Sequence, residues 1–318
     1  MTGLYQRLDK GPAPDPTNVR YTVRRSRILE KIPEETGDEG YPHIPVFAVP
    51  ALDVVWPSQA DPTGTTAIKN VGSLGADEQE LFGTDGSVVV VSPSTVDYIG
   101  GGFYFGDVRA REGAQILFPA GSLADIVEDQ EFLLGVFGKL PAEADWNTST
   151  STVLPFWSGA AASSIGPSNP TLGVLGQISV GGAPNIAWLR QRGTGGAVTQ
   201  LAVPLTAGDG GSVAFIGGWR GGNEGAFLWT PTNGLRTATT TLGALNTAAG
   251  LSATVPRSGI PLYGWPADMT TGNAAVARKW SWLGHFLEDL AGSGRSALDV
   301  IDTAIGCAED LIAAGIWS

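Results

Sequence analysis

Residues 172–241 form a row of short apolar runs, each closed by a glycine-bearing turn. The runs are Leu172–Val180, Asn185–Arg192, Ala197–Pro204, Ser212–Gly217, Gly225–Thr230 and Leu235–Thr241. Between them stand Gly-Gly, Gly-Thr-Gly-Gly, Gly-Asp-Gly-Gly, Arg-Gly-Gly-Asn and Thr-Asn-Gly. Runs of this length, separated by residues that tolerate positive φ, predict antiparallel hairpins. Alternation is clearest where Leu201, Val203 and Leu205 share one parity. No window carries a helical stripe, and each interior glycine would cost a helix roughly 1 kcal/mol.

The same signal recurs upstream at Ser87–Val91, Gln115–Phe118, Glu131–Phe137 and Thr152–Trp157. Residues 46–56 are apolar but broken by Pro50, which suits an edge strand or two short pieces. A late strand spans Ala277–Asp289, where Trp280, Trp282 and Phe286 have one parity and are expected on one face. The tail 296–317 differs. Ser296 can cap a helix, with Asp299 at the third helical position, and Leu298, Ile301, Ile305, Ala308, Leu311 and Ile312 follow a three-to-four spacing. A dozen strands with frequent turns predict a mainly β, two-sheet antiparallel sandwich, with a barrel as the competing closure. The expected organisation is an extended N-terminal arm and assembly segment over 1–85, the sandwich over 86–295 and a C-terminal helix over 296–318.

Glycine, 45 of 318 residues, is about twice its usual share but follows no period, so a collagen-like fold is excluded. The net charge of −12 makes a general nucleic-acid-binding surface a poor expectation. No apolar run is long enough to span a bilayer, and the first residues show no secretory apolar stretch. Cations nevertheless crowd one place: Arg20, Arg24, Arg25, Arg27 and Lys31 lie within YTVRRSRILEK. Such a run is ordinarily a solvated face; its sharper reading is a docking segment for an acidic neighbour, another copy of the chain included.

Few residues suggest chemistry. The lone cysteine, Cys307, excludes an intrachain disulfide and sits in an apolar run, as a buried thiol would. His43 and His285 lack metal-ligand spacing, and no metal or cofactor is expected. Gly100-Gly101-Gly102 is followed by no Lys-Ser/Thr and is not a phosphate loop. Trp188, Trp219, Trp229, Trp280 and Trp282 lie in strand-like runs and are expected in the core. Trp146, Trp157 and Trp265 lie near Gly, Pro or Asn turns and are the candidates for contact with a glycan or a protein partner.

The segment GSVAFIGGWRGGNEGAFLWTPTNGLR resembles the central hairpin of laminin-G/concanavalin-A-like jelly rolls, with Asn233-Gly234 matching its turn. The run RKWSWLGHFLEDLAGSGRSALDVIDTA, through Leu287, Glu288, Asp289, Leu290, Ser293, Gly294 and Arg295, resembles the closing strand of such folds in virion proteins of tailed bacteriophages. The resemblance covers about residues 87–310. It implies a jelly-roll sandwich in a virion, assembled with copies of itself and neighbouring virion proteins, with a host surface glycan as a further partner. Calcium binding, known among relatives, finds no dense Asp-x-Asp cluster here. Hydrolases of this fold carry Glu-x-Asp-x-x-Glu on one strand, which this chain lacks, so a non-enzymatic role is expected. Glu112, Asp125, Glu128, Asp129, Glu131, Glu143, Asp145 and Glu288 are the carboxylates a hydrolase could have drawn on.

Overall fold

The computed structural model describes residues 44, 46–49, 88–90, 97–104, 114–118, 121–123, 131–145, 153–161, 171–178, 184–191, 198–242, 256–260 and 279–318. The strands are β1 (Val46–Ala48), β2 (Val88–Val90), β3 (Asp97–Ile99), β4 (Gly102–Tyr104), β5 (Ala114–Leu117), β6 (Phe132–Lys139), β7 (Val153–Ala161) and β8 (Thr171–Ile178). They continue with β9 (Asn185–Gln191), β10 (Val198–Pro204), β11 (Val213–Gly221), β12 (Asn223–Thr230), β13 (Gly234–Thr240), β14 (Arg257–Ile260) and β15 (Ser281–Asp289). A short 3-10 helix covers Glu143–Asp145, and two α-helices, α1 (Leu290–Ser293) and α2 (Ala297–Ala313), close the chain.

All pairings among the described residues are antiparallel and fall into two sheets. One runs β13-β12-β11-β6-β15-β4-β3, with β1 also paired to β15; the other runs β10-β9-β8-β7-β14-β5-β2. Strands of equal rank oppose each other, β10 with β13, β9 with β12, β8 with β11 and β14 with β15. The chain therefore winds along both sheets together, as in a jelly roll, and among the described residues the sheets end at β13 and β10 without pairing to each other, which makes it a sandwich rather than a closed barrel. The six runs between 172 and 241 are β8 through β13, within a few residues at each end. They form two successive meanders, one in each sheet.

Alternation is weak in the central strands for a physical reason. β6, β11, β12 and β15 are buried along almost their whole length, because one face meets the second sheet and the other meets α2. Strands covered on both faces have no polar side to display. On the helix side, Leu133, Phe137, Val213, Phe215, Phe227, Trp229 and Phe286 meet Val300, Ile301, Ala304, Ala308 and Leu311. Phe137 stacks on Phe215 at 4.6 Å and also meets Trp317 at 5.1 Å. Each ring buried this way contributes about 1.5–3 kcal/mol. Ile44 and Val49, flanking β1, join the same cluster, so this piece of the 1–85 segment is built into the helix-side layer.

Glycine makes room for the largest side chains. A Cβ on Gly218 would overlap the Trp188 ring across the sandwich, and one on Gly225 would overlap Trp219 on the neighbouring strand. Trp188, Trp219, Trp229, Trp280 and Trp282 are all buried, as expected, and so is the Cys307 thiol.

Two local expectations are corrected. Trp282 and Phe286 do not share a face: the register shifts between Trp282 and Gly284, so Trp282 meets Phe103 and His285 while Leu283 and Phe286 turn to the helix. The extra residue inverts the parity that period-two counting assumes. In α2, Leu298 is 55% exposed, and the buried stripe runs through Ala297, Val300, Ile301, Ala304, Ile305, Ala308 and Leu311. Ser296 caps α2 as expected, its hydroxyl accepting the Asp299 N–H at 3.2 Å.

Candidate functional site

The densest polar constellation among the described residues lies at one end of the sandwich, where the β10–β11 loop meets the β12–β13 turn. Thr230 pairs with Gly234, leaving Pro231, Thr232 and Asn233 as a three-residue turn closed by Gly234 at φ 66°. That left-handed position is why glycine stands there. The turn delivers Asn233 and Arg236 to Asp209, a wholly buried carboxylate. Asp209 accepts from the Thr206 N–H at 2.7 Å, Thr230 Oγ1 at 2.8 Å, Asn233 Nδ2 at 2.8 Å and Arg236 Nη2 at 2.7 Å to each oxygen. Arg236 Nη1 continues to the Pro204 carbonyl and Thr206 Oγ1, both at 2.9 Å. Burial by itself pushes the Asp209 pKa up; the hydrogen bonds from Asn233, Thr206, Arg236 and Thr230 outweigh it and hold the group below the ordinary aspartate value. A carboxylate with its lone pairs taken up in this way is an anchor rather than a proton acceptor. Alongside, Glu143 Oε1 accepts the Gly208 N–H at 2.5 Å and Asp145 pairs with Lys279 at 2.6 Å, drawing the 3-10 helix to the same corner. That ion pair lifts the Lys279 pKa, first through its hydrogen bond and then through charge.

A second polar line crosses the sandwich. Ser158 Oγ and Ser258 Oγ lie 2.6 Å apart, Ser258 Oγ lies 3.0 Å from His285 Nδ1, and Trp282 Nε1 lies 3.1 Å from the same nitrogen. Indole N–H only donates, so Nδ1 accepts and the imidazole proton belongs on Nε2. Ser258 then donates to Nδ1 and accepts from Ser158. Burial holds the His285 pKa well below the usual histidine range, which keeps the ring neutral. All four side chains are fully buried, so this constellation links the two sheets and presents no surface to a substrate.

Two further ion pairs are internal. Arg220 meets Glu224 at 2.6 Å across the β11–β12 hairpin. Arg295 grips both oxygens of Glu288, one at 2.8 Å through Nε and the other through Nη2. Burial raises the Glu288 pKa even though the Arg295 hydrogen bonds and charge oppose that shift. Of the carboxylates a hydrolase could have used, Glu131, Glu143, Asp145 and Glu288 are described, and Glu288 is turned inward onto Arg295. Glu112, Asp125, Glu128 and Asp129 lie outside the described residues. No group of three or more His, Cys, Asp or Glu among the described residues is placed to hold a metal ion.

The accessible features are surfaces. β13 alternates: Leu235, Thr237 and Thr239 face outward on the helix side, beyond the reach of α2, while Arg236 turns in to Asp209. Leu235 is 40% exposed and Leu242, just past the strand, 43%. The outer face of α2 carries Leu298, Asp299, Asp302 and Glu309, and the helix contains no Lys or Arg.

The sequence-derived contact residues are only partly placed. Trp157 lies in β7, paired with Leu175 and Gly259. Trp146, Trp265, Arg20, Arg24, Arg25, Arg27 and Lys31 lie outside the described residues. Sequence reasoning misses the Asp209 constellation, because Gly-Asp-Gly-Gly reads only as a turn. The spacing Thr206-x-x-Asp209 was the available signal, since short polar side chains at that spacing close on local backbone N–H groups.

No protein-family model matches the sequence, and no curated protein matches it. Solved structures do resemble the fold. The binding domain of botulinum neurotoxin serotype D is 10% identical with a TM-score of 0.45, over 78% of this chain and 48% of that one. The binding domain of Paraclostridial Mosquitocidal Protein 1 is 7% identical with a TM-score of 0.45, over 78% and 49%. Tailspike protein 2 of the Escherichia coli O157:H7 bacteriophage CAB120 is 14% identical with a TM-score of 0.38, over 64% and 25%. This chain thus spans about half of the two toxin domains and a quarter of the tailspike.

Proposed function

We propose that this chain is a structural virion protein of a tailed bacteriophage, a subunit of a tail, baseplate, fibre or capsid appendage. It assembles through its N-terminal segment with copies of itself and with neighbouring virion proteins. The observation that carries this reading is the separation of charge along the chain. Five cations crowd residues 20–31, whereas the exposed face of α2 bears Asp299, Asp302 and Glu309 with no cation on the helix. Opposite patches on a protein of net charge −12 steer one molecule onto another. The residues that resemble virion proteins, Leu287 through Arg295, form the junction of β15 with α1 and α2. In that junction Glu288 and Arg295 hold the closing strand to the helix.

The test is immunolabelling of purified virions with antibody raised against the full chain. Labelling at one fixed place on the particle is the expected result. Virions that carry none of the chain, by labelling and by mass spectrometry, overturn the reading. Reversing Arg24, Arg25 and Arg27 to Glu should cut incorporation into particles while leaving the thermal melt unchanged.

A carbohydrate-binding role is the second reading. Its support lies in the sequence, where Trp146 stands beside Asn147 and Trp265 between Gly264 and Pro266, as aromatics in turns that stack on sugar rings do. Glycan-array binding that falls away in Trp146→Ala and Trp265→Ala would support it, and no binding by the wild-type chain would dismiss it.

A further inference from the structure

We infer that the β13 edge is a self-association site, where a second copy of this chain adds its own β13 in antiparallel pairing and the two sheets become continuous. The inference rests on the assembly reading above but places an interface that reading does not, on the sandwich body rather than on the N-terminal segment.

Sheet edges offer unpaired backbone donors and acceptors, and proteins that must stay apart guard them with Pro, Lys, bulges, inward-pointing charges or very short strands. β13 carries no Pro, Lys or bulge, and its one inward charge, Arg236, is already paired with Asp209. It spans seven residues, Gly-Leu-Arg-Thr-Ala-Thr-Thr, and its register with β12 is unbroken from Glu224↔Thr240 to Thr230↔Gly234. Among the described residues it pairs with no strand on its other side. Its one charge, Arg236, is neutralised by Asp209 and directed inward. The same ion pair and the Asn233 bonds hold the strand in place before any partner arrives, which lowers the ordering cost of association.

The occupant follows from charge and symmetry. The body is acidic overall, so an uncharged edge is where two copies can approach with least repulsion. Antiparallel pairing about a twofold axis is self-complementary. With the axis at Thr237, Thr237 faces itself, Leu235 faces Thr239 and Arg236 faces Ala238. The outer row then consists of Leu–Thr and Thr–Thr pairs, which suit cross-strand packing. With the axis one residue earlier, Arg236 would oppose Arg236, so like charge selects the register. One strand pair buries less than a standard interface of about 1,600 Å², so the dimer is concentration-dependent. Because two like-charged bodies repel, added salt strengthens it.

The experiment is sedimentation equilibrium of the full chain, wild type against Thr237→Lys and Thr237→Glu, with circular dichroism melts to confirm folding. Thr237 is exposed and outward, so both variants should melt like wild type. Each variant alone puts like charges opposite one another and should weaken dimerisation about fivefold. An equimolar mixture of the two should recover or exceed wild-type association. A wild type that stays monomeric up to about 1 mM overturns the inference. So does association indifferent to both variants, or weakened by salt. If association is lost when Arg24, Arg25 and Arg27 are reversed to Glu in the full chain but not in the Thr237 variants, this interface fails while the virion reading stands. If the Thr237 pattern holds and virions lack the chain, the interface stands and the virion reading fails.

Discussion

Replacing Asp209 by Ala should destabilise the sandwich by about 3–4 kcal/mol. The carboxylate is wholly buried and holds Thr206, Thr230, Asn233 and Arg236 at once. Removing one member of a buried ion pair costs about 3–5 kcal/mol, mostly as the penalty of the stranded charge. The Arg236 side chain is 23% exposed and keeps its bonds to Pro204 and Thr206, so water and those acceptors relieve part of that penalty. This places the effect toward the low end, and the loss of the Thr230 and Asn233 partners adds to it. Arg236→Ala should cost less, about 2 kcal/mol, because Asp209 keeps its other three donors. The two residues touch, so the double variant should fall short of the sum by about 1–2 kcal/mol. Urea denaturation monitored by tryptophan fluorescence measures all three, and in a thermal melt Asp209→Ala should lower Tm by about 4–6 °C. A loss below about 1 kcal/mol, or strict additivity in the double variant, would refute the claim that this ion pair anchors the β10–β11 loop to the β12–β13 turn. The pH dependence carries a second check. Because the folded pKa of Asp209 is depressed, its contribution is complete above the unfolded value of 3.8 and is lost as pH falls through the folded value. Asp209→Asn should remove that acid-side decline.

Other outcomes follow from the same packing. Gly218→Ala drives a methyl group into the Trp188 ring and should cost about 1–3 kcal/mol by urea denaturation, with a changed near-ultraviolet dichroism spectrum. His285 is buried neutral, so its contribution is complete above the unfolded pKa near 6.5 and declines as pH falls below that value. His285→Gln should flatten the wild-type stability slope between pH 6.5 and 5, and an unchanged slope would reject the assignment. Ser296→Ala removes the N-cap of α2 and should cost about 1 kcal/mol, read as a lower urea midpoint at unchanged m-value.

Strands and turns were legible because their signals are local. Gly-Asp-Gly-Gly, Arg-Gly-Gly-Asn and Thr-Asn-Gly each mark a reversal whose positive-φ positions only certain residues fill without strain, and β10 through β13 begin and end at them. The helix cap was legible for the same reason, since Ser296 and Asp299 are three residues apart. The polar constellations were not legible. Asp209 meets Arg236 across 27 residues, and Ser158 meets Ser258 across 100. No local pattern encodes such meetings. The face of a strand was only half legible: parity served Leu235, Thr237 and Thr239 but failed across the Trp282–Gly284 register shift.

By itself, then, the sequence determined that the run 172–241 is six strands and that the tail is a capped helix, because turn chemistry and side-chain period act over a few residues. Tertiary structure alone decided that the run divides into one meander in each sheet, that Arg236 turns inward to a buried carboxylate, and that β13 is left as an edge. Those outcomes depend on which distant strand fills each neighbouring place, and that is settled by packing two sheets and a helix together rather than by any short stretch of chain.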